Sequence, residues 1–430
     1  TSLNKPIASD VKAPNFLDKS ISACSFETAT LTNNSKSSAL FVLSACSSGG
    51  AKIGTLMDET GDLGAYGPPI QNGVDLAVGL INDAGGVNGG DITVVHADSG
   101  TSPNVATEAA GKLIEIDKVG GIVGSLSSGV TMAVAEAKTI PAGMVMVSPA
   151  STSPAISVLE DNDTVFRTTV SDAAQGVVLA RMAKRLGYEH CSTIYVNNPY
   201  GKGLNDIFTS TFEEEGGHCE AEVPHEQEQP SYKSEIDKAI TDHQPDVIIA
   251  MSYPKSAAVY LRELIESGYT GDFMFVDGTK NQEMFDELGA AQFEGMYGTA
   301  PGAPDSDAKS TFASLYEEKY GELPTNPFIG EGFDGAILLA LAMAKSGSDT
   351  VDGDSLRFVA NAPGEKVGPG DMAKALELLK DGKDIDYVGV AGEQEIDENG
   401  DVSNTIEVWT IEGGKVTSTG RFESPYTLIT

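Results

Sequence analysis

The chain reads as an α/β protein of two doubly wound lobes, each a parallel sheet covered by helices. Three features carry that expectation. From Lys52 onward, short β-rich runs alternate with helical ones, the signature of βα units feeding a parallel sheet. Near Ala173 the alternation restarts, so a second sheet of similar order follows. Several apolar runs end in loops of small hydroxyl residues, where open α/β sheets place their ligands. At 430 residues the chain is too long for one core and fits about two domains.

Taken in order, the first strand is expected at residues 53–57, followed by a Gly-rich loop, 59–67, and a helix ending near Ala84, where Gly85-Gly86 supplies a left-handed cap. A strand at 92–96, a loop at 98–104 and a helix to Ile116 come next. Residues 119–154 then read strand, Ser-rich loop, helix, strand, Ser-rich loop. Hydroxyls and unpartnered first-turn N–H groups after Ser127-Ser128 form an anion seat. A crossing at 165–169 ends the first sheet. The second set runs helix 173–186, strand 192–196, helix 204–214, strand 220–223, helix 232–241, strand 247–250, helix 257–267 and strand 273–276. Residues 295–299 read as a return crossing, helices 307–320, 329–346 and 371–380 complete a lobe, and a β-rich tail starts at Tyr387. The partition is a leader-like segment and tether at 1–50, lobe one at 51–168 plus 299–386, and lobe two at 169–298 plus 387–430. A multi-strand hinge would let the two lobes close on a ligand.

Composition narrows the partners. A formal charge of −35 opposes binding to nucleic acid or an anionic membrane surface. An acidic surface suits salty surroundings, where screening removes self-repulsion. No apolar segment reaches the length of a membrane span, and residues 336–344 read as a buried helix.

Against this frame several motifs resemble the extracytoplasmic solute-binding proteins of ABC importers for branched-chain amino acids, the leucine/isoleucine/valine-binding family with the type I periplasmic-binding fold. They are Ala65-Tyr66-Gly67, the helix end at 82–89, Gly124-Ser125-Leu126-Ser127-Ser128 and Ser148-Pro149-Ala150-Ser151-Thr152. Asn198-Pro199-Tyr200-Gly201, Tyr253-Pro254, Asp277-Gly278 and the turn at 397–401 continue the series. Their order and spacing carry the likeness over roughly residues 52–409. The resemblance implies that Ser127, Ser128 and Thr152, with Ala150 and backbone groups around Ser151, seat a ligand carboxylate. Asp277 stands where the family has an acid for the α-ammonium, often Glu, and Tyr66, Tyr200 and Tyr253 match its aromatic walls. Ser252 competes for the place of Tyr253. A zwitterion needs donors at one end and an acid at the other, because burying either charge unpaired costs several kcal/mol. The plainer alternative is that these hydroxyls cap helices and Asp277-Gly278 forms a turn.

The implied activity is capture of a neutral or branched-chain amino acid outside the cytoplasm for delivery to permease subunits, by a monomer with no cofactor or metal and no enzymatic role. A sensory, amide-binding or aromatic-acid-binding receptor on the same fold is the alternative. Ser252-Tyr253-Pro254-Lys255 spells an acylation motif, but no Lys-Thr-Gly run follows and chance explains it. The acidic runs at 160–163 and 397–401 lack the full spacing of a Ca²⁺ loop.

The cysteines pose two separate questions. Leu43-Ser44-Ala45-Cys46 resembles a lipobox, with Cys46 as the lipidated residue and Ser47-Ser48-Gly49-Gly50 as tether. His190-Cys191 and His218-Cys219 precede the first two strands of lobe two, where neighbouring parallel strands bring the thiols within disulfide reach. A Cys2His2 metal site is the sharper alternative, but adjacent strand residues point to opposite faces.

Overall fold

A computed structural model describes residues 50–240 and 244–425. The expected lipid-anchor residue Cys46 and the rest of the leader-like segment up to residue 49 lie outside the described residues.

The first sheet is built from β1 (Lys52–Met57), β2 (Thr93–Asp98), β3 (Gly121–Gly124), β4 (Met146–Ser148) and β5 (Val165–Arg167). All pair in parallel in the order β2-β1-β3-β4-β5. Parallel neighbours require crossover helices: α1 (Gly67–Asp83), α2 (Pro103–Lys112), and α3 (Ser128–Val134) continued through a π-helical turn into α4 (Ile140–Ala142). With helices on both faces, β3 and β4 are buried at every position, which is why they read as unbroken apolar runs.

The second unit begins with α5 (Asp172–Arg185), capped by the Ser171 hydroxyl, which accepts from the Ala173 N–H. It continues through β6 (His190–Val196), α6 (Pro199–Glu214), β7 (His218–His225), α7 (Lys233–Ile240), β8 (Val247–Met251), α8 (Pro254–Glu266), β9 (Asp272–Phe275), α9 (Gln282–Leu288) and β10 (Tyr297–Pro301). Three helices follow, α10 (Asp307–Tyr320), α11 (Ile329–Ser346) and α12 (Gly353–Ala360). After them come β11 (Glu365–Val367), α13 (Met372–Lys380), β12 (Ile385–Gly389), β13 (Gly392–Glu393), β14 (Ile406–Glu412) and β15 (Lys415–Glu423). The second sheet runs β15-β14-β10-β9-β8-β6-β7, with β14 and β15 antiparallel to their neighbours.

Two boundaries differ from the sequence expectation. Residues 295–299 do not form a bare crossing: Tyr297 to Pro301 pair with both β9 and β14, so the second sheet extends past the boundary at 299. Residues 387–393 belong to a small sheet, β11-β12-β13, beside α11 and not to the second sheet. The cause is Asp334, buried on α11, whose carboxylate accepts from the Tyr387 hydroxyl and the N–H groups of Val390 and Ala391. The tail rejoins the second sheet only at Ile406.

Helix α11 is the buried helix that the apolar run at 336–344 predicted, with no residue exposed from Ile329 through Ser346 except Ser346 at its end. It lies so close to α1 that a Cβ on Gly332 would sit 2.5 Å from Ile70 Cγ2, and one on Gly73 2.7 Å from the Ile329 carbonyl. Among the described residues no helix is long and apolar enough to cross a membrane. Cys191 and Cys219, in register on β6 and β7, form a disulfide. It lies at the strand starts, away from the loops that carry the site. The neighbouring His190 Nδ1 meets Glu220 at 2.8 Å.

Candidate functional site

The carboxyl ends of β1, β3 and β4 face those of β6, β8 and β9 across a small closed cavity. Its volume is only about 10 Å³, so the facing walls nearly touch. Its lining is Leu63, Tyr66, Leu126, Ser128 and Ala150 from one side and Tyr200, Tyr253, Asp277 and Gly278 from the other, with Phe328 completing the wall. Six of the nine residues singled out from the sequence therefore border one space: Tyr66, Ser128, Ala150, Tyr200, Tyr253 and Asp277.

The lobes meet closely enough to hydrogen-bond across this space. The Tyr66 hydroxyl donates to the Asp277 carbonyl at 3.0 Å, and the Tyr253 hydroxyl donates to Ser127 Oγ at 3.1 Å. Tyr253 is stacked on Tyr200, with ring centroids 5.5 Å apart and planes inclined by 7°. The glycine at 278 is required by this packing, because a Cβ there would lie 2.4 Å from the Ser252 carbonyl oxygen and 2.9 Å from the Tyr200 hydroxyl. Ser252 itself turns away, its hydroxyl 2.8 Å from His225 Nε2.

On the hydroxyl side, Ser128 Oγ accepts from the Ser153 N–H at 3.2 Å, which leaves the hydroxyl proton free to be donated into the cavity. Ser127, Ser151 and Thr152 do not border the space. Ser127 Oγ takes the Tyr253 hydroxyl. Ser151 Oγ bonds to the carbonyls of Ser125 and Leu126 and to Thr131, so it buttresses the loop from behind. Thr152 Oγ1 donates to Asp172 Oδ2 at 2.9 Å. Their side chains are committed because a buried hydroxyl without a partner costs about 1–3 kcal/mol, and the nearest partners lie within the loops.

Arg167 fixes the same loop. Its fully buried guanidinium donates to the carbonyls of Ser151 and Ser153 and, through Nε, to Asp401 Oδ1 at 2.7 Å. The turn at 397–401 thereby serves as the anchor of a buried ion pair.

On the acid side, Asp277 Oδ1 accepts from the Tyr200 hydroxyl at 2.9 Å and from Gln175 Nε2 at 2.8 Å. Its Oδ2 has no side-chain partner among the described residues. Burial pushes the Asp277 carboxyl up to about 6, against the opposing hydrogen bonds from Tyr200 and Gln175. Asp172, one helical turn before Gln175 on α5, is also fully buried. Desolvation first, and the neighbouring Asp277 charge second, raise its carboxyl well above the usual range. Among the described residues neither acid takes part in a salt bridge, and Asp172 Oδ1 and Gln175 Oε1 are buried with no hydrogen-bond partner. The Arg167 guanidinium partly offsets the Asp172 charge. The cavity itself is lined by one carboxyl, Asp277, and by no cation, an arrangement that attracts a positively charged group.

Asp172, Gln175, Leu63, Leu126 and Phe328 were not singled out from the sequence. Asp172 follows Ser171 as an ordinary first-turn acid of a helix, and only its burial distinguishes it. Phe328 adopts φ +74°, a conformation a bulky residue rarely takes, but nothing in the Pro-rich stretch before it signals a site.

Comparison with known proteins places these features in context. A family profile described as periplasmic binding protein matches residues 50–415. The chemotactic signal transduction system substrate-binding protein BasB of Halobacterium salinarum is 27% identical over 351 residues, covering 79% of this chain and 82% of the relative. The Leu/Ile/Val-binding protein BraC3 of Rhizobium johnstonii is 27% identical over 373 residues, 85% of this chain and 92% of that one. Among solved structures, a leucine-binding protein of Thermotoga maritima superposes with a TM-score of 0.71 at 25% identity, covering 87% of this chain and 97% of the other.

Proposed function

The chain belongs to the periplasmic binding protein family and has the type I fold of that family, and from this premise we propose that it captures a neutral amino acid between its lobes. The carrying observation is the buried carboxyl of Asp277, with no cation in the cavity lining, facing a hydroxyl donor, Ser128, across a cavity with otherwise apolar walls. An α-ammonium would take Asp277 Oδ2. The α-carboxylate would take the Ser128 hydroxyl. Leu63, Leu126, Ala150 and Phe328 leave the ligand side chain an apolar surface, which favours an aliphatic amino acid over a charged one. Leucine, isoleucine and valine are the first ligands to try, since BraC3 is described as a Leu/Ile/Val-binding protein.

Neither lobe alone satisfies both charged ends, so the ligand binds the closed form more tightly and shifts the population toward it. A receptor of this kind needs no catalytic group, and the Ser252–His225 contact supplies none, because both residues are buried away from the cavity. Its place of work would be outside the cytoplasm, as the family name implies, with the closed form read by the permease subunits of an importer. A second reading, delivery to a signalling partner, is favoured by the likeness to BasB, a substrate-binding protein of chemotactic signal transduction.

A thermal-shift and calorimetric panel of neutral amino acids, their amides and aromatic carboxylates tests the ligand class. Stabilisation by leucine, isoleucine or valine at neutral pH is expected. Stabilisation only by compounds lacking an α-ammonium would overturn the amino-acid reading.

A further inference from the structure

We propose that Asp62 is a closure latch: a residue that touches no ligand and sets binding strength by holding the two lobes together. It lies on the loop between β1 and α1, and its carboxylate reaches across to the start of α8. Oδ1 accepts the Ser256 backbone N–H at 2.9 Å, and Oδ2 accepts the Ser256 hydroxyl. The Ser256 hydroxyl is itself oriented, because the Glu228 N–H donates to its oxygen at 2.9 Å and so directs the hydroxyl proton toward Asp62. Asp62 therefore caps a helix of the opposite lobe. Tyr253, the residue before α8, makes no side-chain cap. A carboxylate at that end meets unpartnered N–H groups and the positive end of the helix dipole.

The loop that presents Asp62 is fixed to its own lobe. Asp98 accepts from the N–H groups of Glu59 and Thr60 and from the Thr60 hydroxyl, and the Leu63 N–H donates to Thr101 Oγ1. Asp62 and Ser256 are both buried, yet neither lines the cavity. Their neighbours do: Leu63 follows Asp62 directly, and Tyr253 lies three residues before Ser256. The contact thus closes one side of the cavity while leaving the ligand's own partners to other residues. When the lobes part, the carboxylate regains water and the helix loses its cap, so the contact exists only in the closed form.

The proposal rests on the reading that ligand is held by closure, but not on which ligand it is. The test uses calorimetric titration of wild type, Asp62→Ala, Asp62→Asn and Ser256→Ala with the amino acids, amides and aromatic carboxylates named above, together with small-angle scattering of the ligand-free proteins. Every compound that binds wild type should bind Asp62→Ala about 10- to 100-fold more weakly and by one common factor, because a charged hydrogen-bonded contact is lost from the closed state alone. Asp62→Asn, which keeps an acceptor for the Ser256 N–H, should recover part of the loss. Ser256→Ala, which keeps the backbone donor, should lose less than Asp62→Ala and decides the matter if that variant fails to fold. Unchanged affinity, or losses that differ between ligands by more than about threefold, would overturn the latch. If no compound binds wild type, the amino-acid reading fails separately and scattering decides: a larger radius of gyration for Asp62→Ala supports the latch, and an equal one refutes it.

Discussion

The two sides of the cavity solve the burial of polar groups in opposite ways. On the hydroxyl side, Ser127, Ser151 and Thr152 are spent on partners within the protein, and Arg167 ties the carbonyls of Ser151 and Ser153 to the turn at Asp401. That loop is organised before any ligand arrives, and only the Ser128 proton is held in reserve. On the acid side, Asp277 keeps one oxygen without a side-chain partner and has a second carboxyl behind it. One region is preorganised by satisfied bonds, and the other retains a charge deficit that a ligand can fill. Affinity should therefore depend most on the acid side, while stability should depend most on the hydroxyl side.

The largest expected effect is that of Asp277→Ala, which would leave a bound ammonium buried and unpaired. Truncating one partner of such a pair costs about 2–5 kcal/mol, so amino-acid affinity measured by calorimetry should fall by at least about 30-fold. A loss below threefold would count against the split site. Next comes Ser128→Ala, which removes one hydrogen bond to a charged carboxylate and should weaken binding by about 10-fold, at the lower end for such bonds. A comparable loss with an aromatic carboxylate would show that the hydroxyl side reads the anion alone.

Proton linkage sharpens the contrast. Because the folded Asp277 carboxyl titrates near 6 and its ordinary value is 3.8, the ligand-free fold retains a proton that the unfolded chain releases. Ligand-free stability contributed by this group is therefore greatest below 3.8 and declines as pH rises through about 6. Ammonium binding needs the ionised form, so amino-acid affinity should run the other way and fall by about 10-fold between pH 7 and pH 5. An affinity that rises on acidification would exclude the ammonium role. The smallest effect on binding is expected for Ser151→Ala: its hydroxyl supports the loop from behind, so thermal unfolding should reveal a loss of about 1 kcal/mol while affinity changes little.

Much of this site was legible because its residues end strands. Ser128, Tyr200, Tyr253 and Asp277 follow apolar runs in the order that parallel βα units impose, and the period of those runs places their loops at the same end of each sheet. What escaped was whatever depends on the approach of distant segments. Asp172 and Gln175 resemble any polar residues in the first turn of a helix until β10 and Asp277 close over them. Thr152 and Ser151 occupy the expected loop, but their hydroxyls were claimed by Asp172 and by backbone carbonyls, a competition that spacing does not reveal. The run read as a return crossing at 295–299 became a paired strand for a related reason: β10 pairs with β14, more than 100 residues later, and no local pattern records that pairing.

By itself, then, the sequence determined the alternation of strands and helices, the restart that makes two lobes, and the loops able to carry ligand contacts, because hydrophobic period and turn chemistry act over a few residues. Only the tertiary structure decided which hydroxyls remain free, which acids lose their water, and that Asp62 reaches Ser256 194 residues away. Those outcomes depend on desolvation and on competition for hydrogen-bond partners, and both are set by whatever the folded chain brings alongside.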